Sequence, residues 1–211
     1  MKHFDLSLYL VLDPVLCAGI GMVETTRAAV AGGATIVQLR DKHASTASMI
    51  ETGLALKQAL ADTSARLIVN DDVEAAIAIG ADGLHIGQDD MDALTARRLI
   101  GPDMILGLSV ETETLAAAID PAVVDYAGIG PVFATPTKPD HKRPIGFAGL
   151  ARMIDLCPVP SVAIGGLKAE HAAEALLAGA DGIAVVSAIC GTPDPRTAAA
   201  EIAKAIREAR S

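Results

Sequence analysis

Eight short apolar runs rich in β-branched residues alternate with Ala-rich segments of helical period from one end of the chain to the other. The runs cover 6–12, 35–40, 66–70, 83–86, 104–109, 124–129, 161–164 and 182–186, and their composition and length predict strands. The helical segments between and after them cover 22–31, 45–61, 72–79, 92–100, 111–119, 147–156, 168–178 and 195–209. A strand followed by a helix and another strand implies a parallel sheet, because the crossover helix carries the chain back to the same edge. Eight such units close the sheet on itself, so the expected fold is α/β, a TIM (β/α)8 barrel, formed by residues 1–211 as a single domain.

The punctuation agrees with this reading. Gly32 and Gly33, Gly80, Gly101 and Gly179 stand where helix ends need positive φ, and Ser45 and Asp194 suit N-caps. Ala31-Gly32-Gly33-Ala34, Ile79-Gly80-Ala81-Asp82-Gly83 and Ala178-Gly179-Ala180-Asp181-Gly182 repeat one helix-to-strand turn. An open doubly wound sheet would want a glycine-rich loop after its first strand, and Asp13-Pro14-Val15 stands there instead. With 211 residues against about 250 for a typical barrel, most loops must be short. Residues 130–146 are the exception, with four prolines among Thr, Lys and Arg, and a long polar loop in such a domain is expected to be a functional lid or a disordered insert.

Composition narrows the classes of function. The chain is 51% hydrophobic with a net charge of -9, enough apolar content for a full core and the wrong sign for a nucleic-acid surface. Any anionic ligand must therefore meet a local positive patch or a metal. No run reaches the length of a membrane span and the first residues lack a signal-peptide stretch, so a soluble cytoplasmic protein without membrane partners is expected. Cys17, Cys157 and Cys190 fit neither a disulfide framework nor a zinc spacing and are expected to be reduced, mostly buried thiols. His3, His43, His85, His141 and His171 are scattered. Only His85 falls in a strand near the expected pocket, where a packed or supporting imidazole is the simpler reading.

The polar residues able to do chemistry cluster just past the ends of the strands, and in a closed parallel sheet those ends open on one face. Gln38, Arg40 and Lys42 alternate with Leu39 and Asp41, so an extended chain points the amide, guanidinium and ammonium to one side. Such a row is costly to desolvate unless an anionic or polar ligand arrives, and phosphate oxygens suit it. Asn70-Asp71 and Gln88-Asp89-Asp90 add carboxylates on neighbouring loops. Hard oxygen ligands of that number suit Mg²⁺, which completes its shell with water and substrate phosphate. Taken singly, each aspartate could equally be an N-cap. Thr135-Pro136-Thr137-Lys138 lies mid-loop with hydroxyls and a cation, while Ile164-Gly165-Gly166 and Val186-Ser187 follow strands seven and eight, the usual phosphate position in such barrels.

Assembled, these motifs resemble the thiamine phosphate synthase family over the whole chain. The match runs from Leu8-Tyr9-Leu10-Val11-Leu12-Asp13 through Gln38-Leu39-Arg40-Asp41-Lys42, Val69-Asn70-Asp71 and His85-Ile86-Gly87-Gln88-Asp89-Asp90. It continues through Gly130-Pro131-Val132-Phe133-Ala134-Thr135-Pro136-Thr137-Lys138 and Ala163-Ile164-Gly165-Gly166 to Val185-Val186-Ser187-Ala188-Ile189. The resemblance implies that Gln38, Leu39, Arg40, Asp41, Lys42, Asn70, Ser109 and Lys138 bind an aminopyrimidine diphosphate, and that Asp71 and Asp90 hold Mg²⁺. It implies that Thr135, Pro136, Thr137, Gly166, Val186 and Ser187 bind a thiazole phosphate, with Arg40, Ser109 and Lys138 as catalytic residues. The family is a transferase in thiamine biosynthesis: the thiazole nitrogen displaces diphosphate from the pyrimidine's methylene carbon, and a carboxylated thiazole also loses carbon dioxide. Such a reaction asks for charge neutralisation, water exclusion and alignment, so no Ser/His/Asp array is expected. The sequence departs from the common pattern at Asp41 and across 139–144, which adds His141, Lys142 and Arg143.

Two rivals share the barrel. A thiazole tautomerase would need no diphosphate site, and retention of Arg40, Lys42, Asn70, Asp71, Asp90 and Lys138 counts against it. A non-catalytic sensor derived from a decayed enzyme would be expected to have lost part of that set. Whether copies associate as a homo-oligomer is left open by the sequence.

Overall fold

In the computed structural model, which describes residues 2–135 and 142–211, every apolar run forms a strand. They are β1 Leu8–Val11, β2 Ile36–Leu39, β3 Arg66–Asn70, β4 Gly83–Ile86, β5 Ile105–Val110, β6 Tyr126–Ile129, β7 Ser161–Ile164 and β8 Gly182–Val185. Each pairs in parallel with the next, and β1 pairs with β8, so the sheet closes into a (β/α)8 barrel. At the seam Leu10 lies beside Val37 on one side and Val185 on the other. The outer helices are α1 Gly21–Ala31, α2 Thr46–Leu60, α3 Val73–Ile79, α4 Ala93–Ile100, α5 Glu113–Ala117, α6 Gly146–Leu156, α7 Ala172–Leu177 and α8 Pro195–Ala209. Ser45 and Asp194 cap α2 and α8 as expected. Three expectations change. Gly32 is right-handed and Gly33 alone takes positive φ. The helix expected over 168–178 divides into a 3-10 turn, Ala169–His171, and α7. The helix expected over 111–119 keeps only the five residues of α5.

Period two sorts each strand into an inner and an outer face. Tyr9, Val11, Ile36, Ile68, Ile105, Tyr126, Val162 and Ala184 form the barrel interior. Their neighbours Leu8, Leu10, Val37, Leu39, Leu67, Val69, Leu84, Ile86, Leu106 and Ala127 face outward into the layer shared with the helices. Cys17 and Cys190 are buried in that outer layer and Cys157 is half-buried, all three as free thiols.

The repeated turn before a strand has a structural cause. Asp82 donates its backbone N–H to Leu67 O at 2.9 Å, and its carboxylate takes the Leu67 N–H in return at 2.9 Å. Asp181 does the same to Ser161, with both bonds at 2.8 Å. Asp125, which lacks the flanking glycine, is a third copy on Leu106, again at 2.8 Å both ways. Each aspartate therefore fastens the start of one strand to the start of its neighbour at the N-terminal end of the barrel. Asp125 also binds Arg97 at 2.6 Å and Lys2 at 2.7 Å.

The interior is not wholly apolar. The Tyr9 hydroxyl lies 2.7 Å from that of Tyr126, which lies 3.0 Å from His85 Nδ1. Gly107 leaves the space that the Tyr126 ring fills, since a Cβ there would overlap the ring and its hydroxyl. Burial pushes the His85 imidazole down to about 4, well below its ordinary 6.5, so it is neutral near pH 7.

Two measurements follow from these contacts. Asp125→Ala removes three partners at once and is expected to cost about 2–3 kcal/mol in urea unfolding, against about 1 kcal/mol for Asp82→Ala; equal losses would refute the argument. For His85, the unfolded chain gains a proton below pH 6.5 that the folded barrel refuses until about pH 4. Its stabilising contribution is thus full above 6.5 and lost as pH falls toward 4. The expected loss between pH 7 and pH 5 is about 2 kcal/mol; it should be absent in His85→Gln and so appear as the difference between wild type and that variant.

Candidate active site

A cavity of about 210 Å³ opens at the C-terminal ends of the strands. Around it stand Gln38, Arg40, Lys42, Asn70, Asp71, Asp90, Ser109, Thr135, Gly166, Val186 and Ser187, all drawn from the candidate residues of the sequence. Leu39 and Asp41 do not line it. Leu39 is fully buried in the outer layer, and the Asp41 carboxylate accepts the N–H groups of His43 at 3.0 Å and Ala44 at 3.2 Å. In β2 the side chains between the inward ones turn away from the cavity. Pro136, Thr137 and Lys138 lie outside the described residues, as does His141.

The row Gln38, Arg40, Lys42 climbs from floor to rim. Gln38 is buried, Arg40 half-buried and Lys42 exposed, so the charges stand where hydration is still partly available. Lys42 Nζ lies 3.7 Å from Asp71 Oδ2.

Asp71 follows β3 with φ of 63°, a left-handed conformation that a non-glycine residue holds only when its surroundings enforce it. Its N–H is fixed to His85 O at 2.8 Å. The same turn frees Asp72 to cap α3 through Ala75 N at 2.8 Å, which separates the capping aspartate from the one facing the cavity. Burial, then hydrogen bonding and repulsion from Asp90, push the Asp71 carboxyl up to about 6, against the pull of Lys42 and Arg40. Asp90 is held by Gly87 N–H at 2.7 Å. Two carboxylates close enough to share a proton, beside two cations, suit a small hard divalent ion that also takes water and phosphate oxygens. Among the described residues there is no group of three or more His, Cys, Asp or Glu placed to hold a metal, so the fit is to an ion that asks the protein for few ligands.

The floor is a polar chain. Gln38 Nε2 donates to Tyr9 OH at 2.7 Å, Tyr9 meets Tyr126, Tyr126 meets His85, and His85 Nε2 lies 2.9 Å from Ser109 Oγ. Gln88, past the end of β4 as expected, donates to Ser109 O at 2.6 Å and braces β5.

Across the mouth, Gly165 and Gly166 take positive φ of 104° and 66°. A Cβ on Gly166 would lie 2.8 Å from Ala134 O and from Phe133 Cβ. The start of the long loop is laid along this segment by Val132 N to Ile164 O at 2.9 Å and Phe133 N to Gly165 O at 3.0 Å. After β8, Val186 O accepts from Ile189 N at 3.0 Å and from Cys190 N at 2.8 Å in a hydrogen-bonded turn. The cavity wall also includes Tyr9, His85, Glu111 and Lys168. Tyr9 and Glu111 were not singled out from sequence. The usable signal for the floor was that both tyrosines of the chain fall in strand runs at inward positions.

Comparison with known proteins agrees with this arrangement. The family model described as thiamine monophosphate synthase matches residues 8–189. The thiamine-phosphate synthase of Xanthobacter autotrophicus is 50% identical over 99% of this chain and 99% of its own. That of Azorhizobium caulinodans is 48% identical over 100% of both. A solved thiamine phosphate pyrophosphorylase from Pyrococcus furiosus superposes with a TM-score of 0.88 at 38% identity, covering 98% of each chain. The family match begins in β1, ends just beyond β8 and includes every described wall of the cavity, and the chain belongs to the thiamine monophosphate synthase family.

Proposed function

We propose that this chain is a thiamine-phosphate synthase, a transferase that joins 4-amino-2-methyl-5-(diphosphooxymethyl)pyrimidine to a thiazole phosphate and releases diphosphate. The observation that carries the reading is one cavity in which Arg40 and Lys42 stand beside the Asp71 and Asp90 pair, over a floor ending in Gln38 and Ser109. Cations next to a carboxylate pair make a site for a metal-bound diphosphate, which a thiazole tautomerase has no need of. Names and identities of the relatives support the same activity.

In this reading Gln38, Ser109 and Asn70 hold the pyrimidine, and Thr135, Gly166, Val186 and Ser187 hold the thiazole phosphate, joined by Pro136, Thr137 and Lys138 of the loop. Asp71 and Asp90 hold Mg²⁺, which when bound adds positive charge at the diphosphate. Arg40 and Lys42, with Lys138, balance the charge gathering on the departing oxygens as the methylene carbon–oxygen bond breaks. The thiazole nitrogen supplies the electron pair for the new carbon–nitrogen bond. The barrel wall keeps water from the activated methylene, and the two half-sites fix the nitrogen in line. With a carboxylated thiazole, the carboxyl leaves as carbon dioxide and its bonding electrons return to the ring. A single catalytic domain spanning 1–211, a cytoplasmic location and action on small molecules belong to this reading. The barrel running from β1 to β8 and the net charge of -9 support it.

Protein incubated with both substrates and Mg²⁺ is expected to form thiamine phosphate and one equivalent of diphosphate. Tight binding of both substrates without product would favour the sensor, and conversion of the thiazole substrate alone the tautomerase. Asp90→Ala should lower kcat by about 10²-fold or more and raise the Mg²⁺ concentration needed, with thiazole phosphate affinity held within about twofold. Unchanged turnover in that variant would remove Asp90 from the metal site.

A further inference from the structure

Behind the cavity wall, where β1 and β8 close the sheet, two thiols meet. Cys17 lies in the 3-10 turn Leu16–Gly19 that follows β1, and Cys190 closes the turn that follows β8. Each is 2% exposed, and their side chains hydrogen-bond to each other. The backbone puts them there. Cys17 N–H is fixed to Asp13 O at 2.9 Å and Cys190 N–H to Val186 O at 2.8 Å, while a Cβ on Gly191 would lie 3.2 Å from Leu16 O. The Cys190 thiol also reaches Val11 O at 3.6 Å. Val11 and Val186 are themselves cavity residues, so the pair stands directly behind the wall on both sides of the seam.

Two features separate these thiols from inert core cysteines. Their cover is thin: Ala18, Gly19, Ile20 and Gly21 are exposed, and a Cβ on Gly19 or Gly21 would meet nothing within 4 Å. A single short turn therefore stands between Cys17 and solvent. The hydrogen bond from Cys190 also holds the Cys17 thiol below its ordinary range, against burial and the Asp13 charge, so Cys17 is the member that ionises.

We propose that Cys17 and Cys190 are an oxidisable pair, a modification site for small peroxides that closes into a disulfide and ties β1 to β8 behind the cavity. The Cys17 thiolate attacks one oxygen of the peroxide, the O–O bond breaks, and Cys17 becomes a sulfenic acid as hydroxide leaves. The Cys190 sulfur then attacks the Cys17 sulfur. The S–O bond breaks, and the hydroxyl departs with the Cys190 proton as water. Two thiols have lost two electrons, and hydrogen peroxide has become two waters once the hydroxide takes up the proton that Cys17 released. A small thiol reductant reopens the bridge by exchange. Cys157 has no such neighbour: its thiol rests on Val159 O at 3.4 Å.

The test treats folded, reduced, full-length protein with hydrogen peroxide, then unfolds, alkylates and digests it for mass mapping. A peptide joining Cys17 to Cys190 of the same chain is expected, lost on dithiothreitol, with Cys157 alkylated throughout. Because the bridge closes most of the chain into one loop, the oxidised protein should melt about 5 °C or more above the reduced one, a difference absent in Cys190→Ser. Four results overturn the proposal: both thiols still alkylated after peroxide, Cys17 carried on to sulfinic acid beside an alkylated Cys190, a linkage between chains, or a bridge without the rise in melting temperature. Should Cys190→Ser not fold, mapping and melting of the wild type with and without dithiothreitol decide alone. None of these readouts uses a substrate, so failure of the proposed reaction leaves them unchanged.

Discussion

A parallel sheet closed on itself leaves its strands only one place to meet a ligand. Both faces of each strand are occupied, the inner by Tyr9, Ile36, Ile68, Ile105 and Val162, the outer by Leu10, Val37, Leu67 and Leu106. The lateral edges are used up by pairing, since β1 bonds to β8. What remains are the strand ends, and the reciprocal bonds of Asp82, Asp125 and Asp181 fasten the N-terminal set. The opposite end is where the polar residues can gather.

There the alternation of β2 continues past the last ladder bond, and its consequences are electrostatic. Gln38, Arg40 and Lys42 keep the inward phase set by Ile36, so amide, guanidinium and ammonium rise through increasing hydration. Charges at such depth need partners. The protein supplies one at the rim, Lys42 against Asp71 at 3.7 Å, and sets Asp71 against Asp90 so that its carboxyl resists ionising until about pH 6. In the proposed reaction an arriving cation and an arriving diphosphate would relieve both strains together, so that reading makes this corner a site for the pair rather than for either alone.

Much of the site could be read from the chain because period two is local. The inward row of Gln38, Arg40 and Lys42 needed only an extended backbone, and Asp71 and Asp90 needed only their place after strands. The same alternation turns the Leu39 and Asp41 side chains away from the cavity. Gly32 and the helix expected over 168–178 were misjudged because cap and 3-10 geometry depend on neighbours: Gly32 packs closely on α8, where a Cβ would lie 2.7 Å from that of Ala199. The floor was the hardest part, since Tyr9, Tyr126 and His85 are far apart in sequence and each alone reads as a core residue.

Sequence alone determined the repeated βα unit, the number of strands and which side of each strand faces the barrel interior, because all three follow from spacing along one segment. Tertiary structure decided the rest. Only closure of the sheet brings β1, β2, β4, β5 and β6 within reach of one another, so only it could join Gln38, Tyr9, Tyr126, His85 and Ser109 into a single hydrogen-bonded chain. Hydrogen bonds between residues that no local period relates have no signature in the sequence.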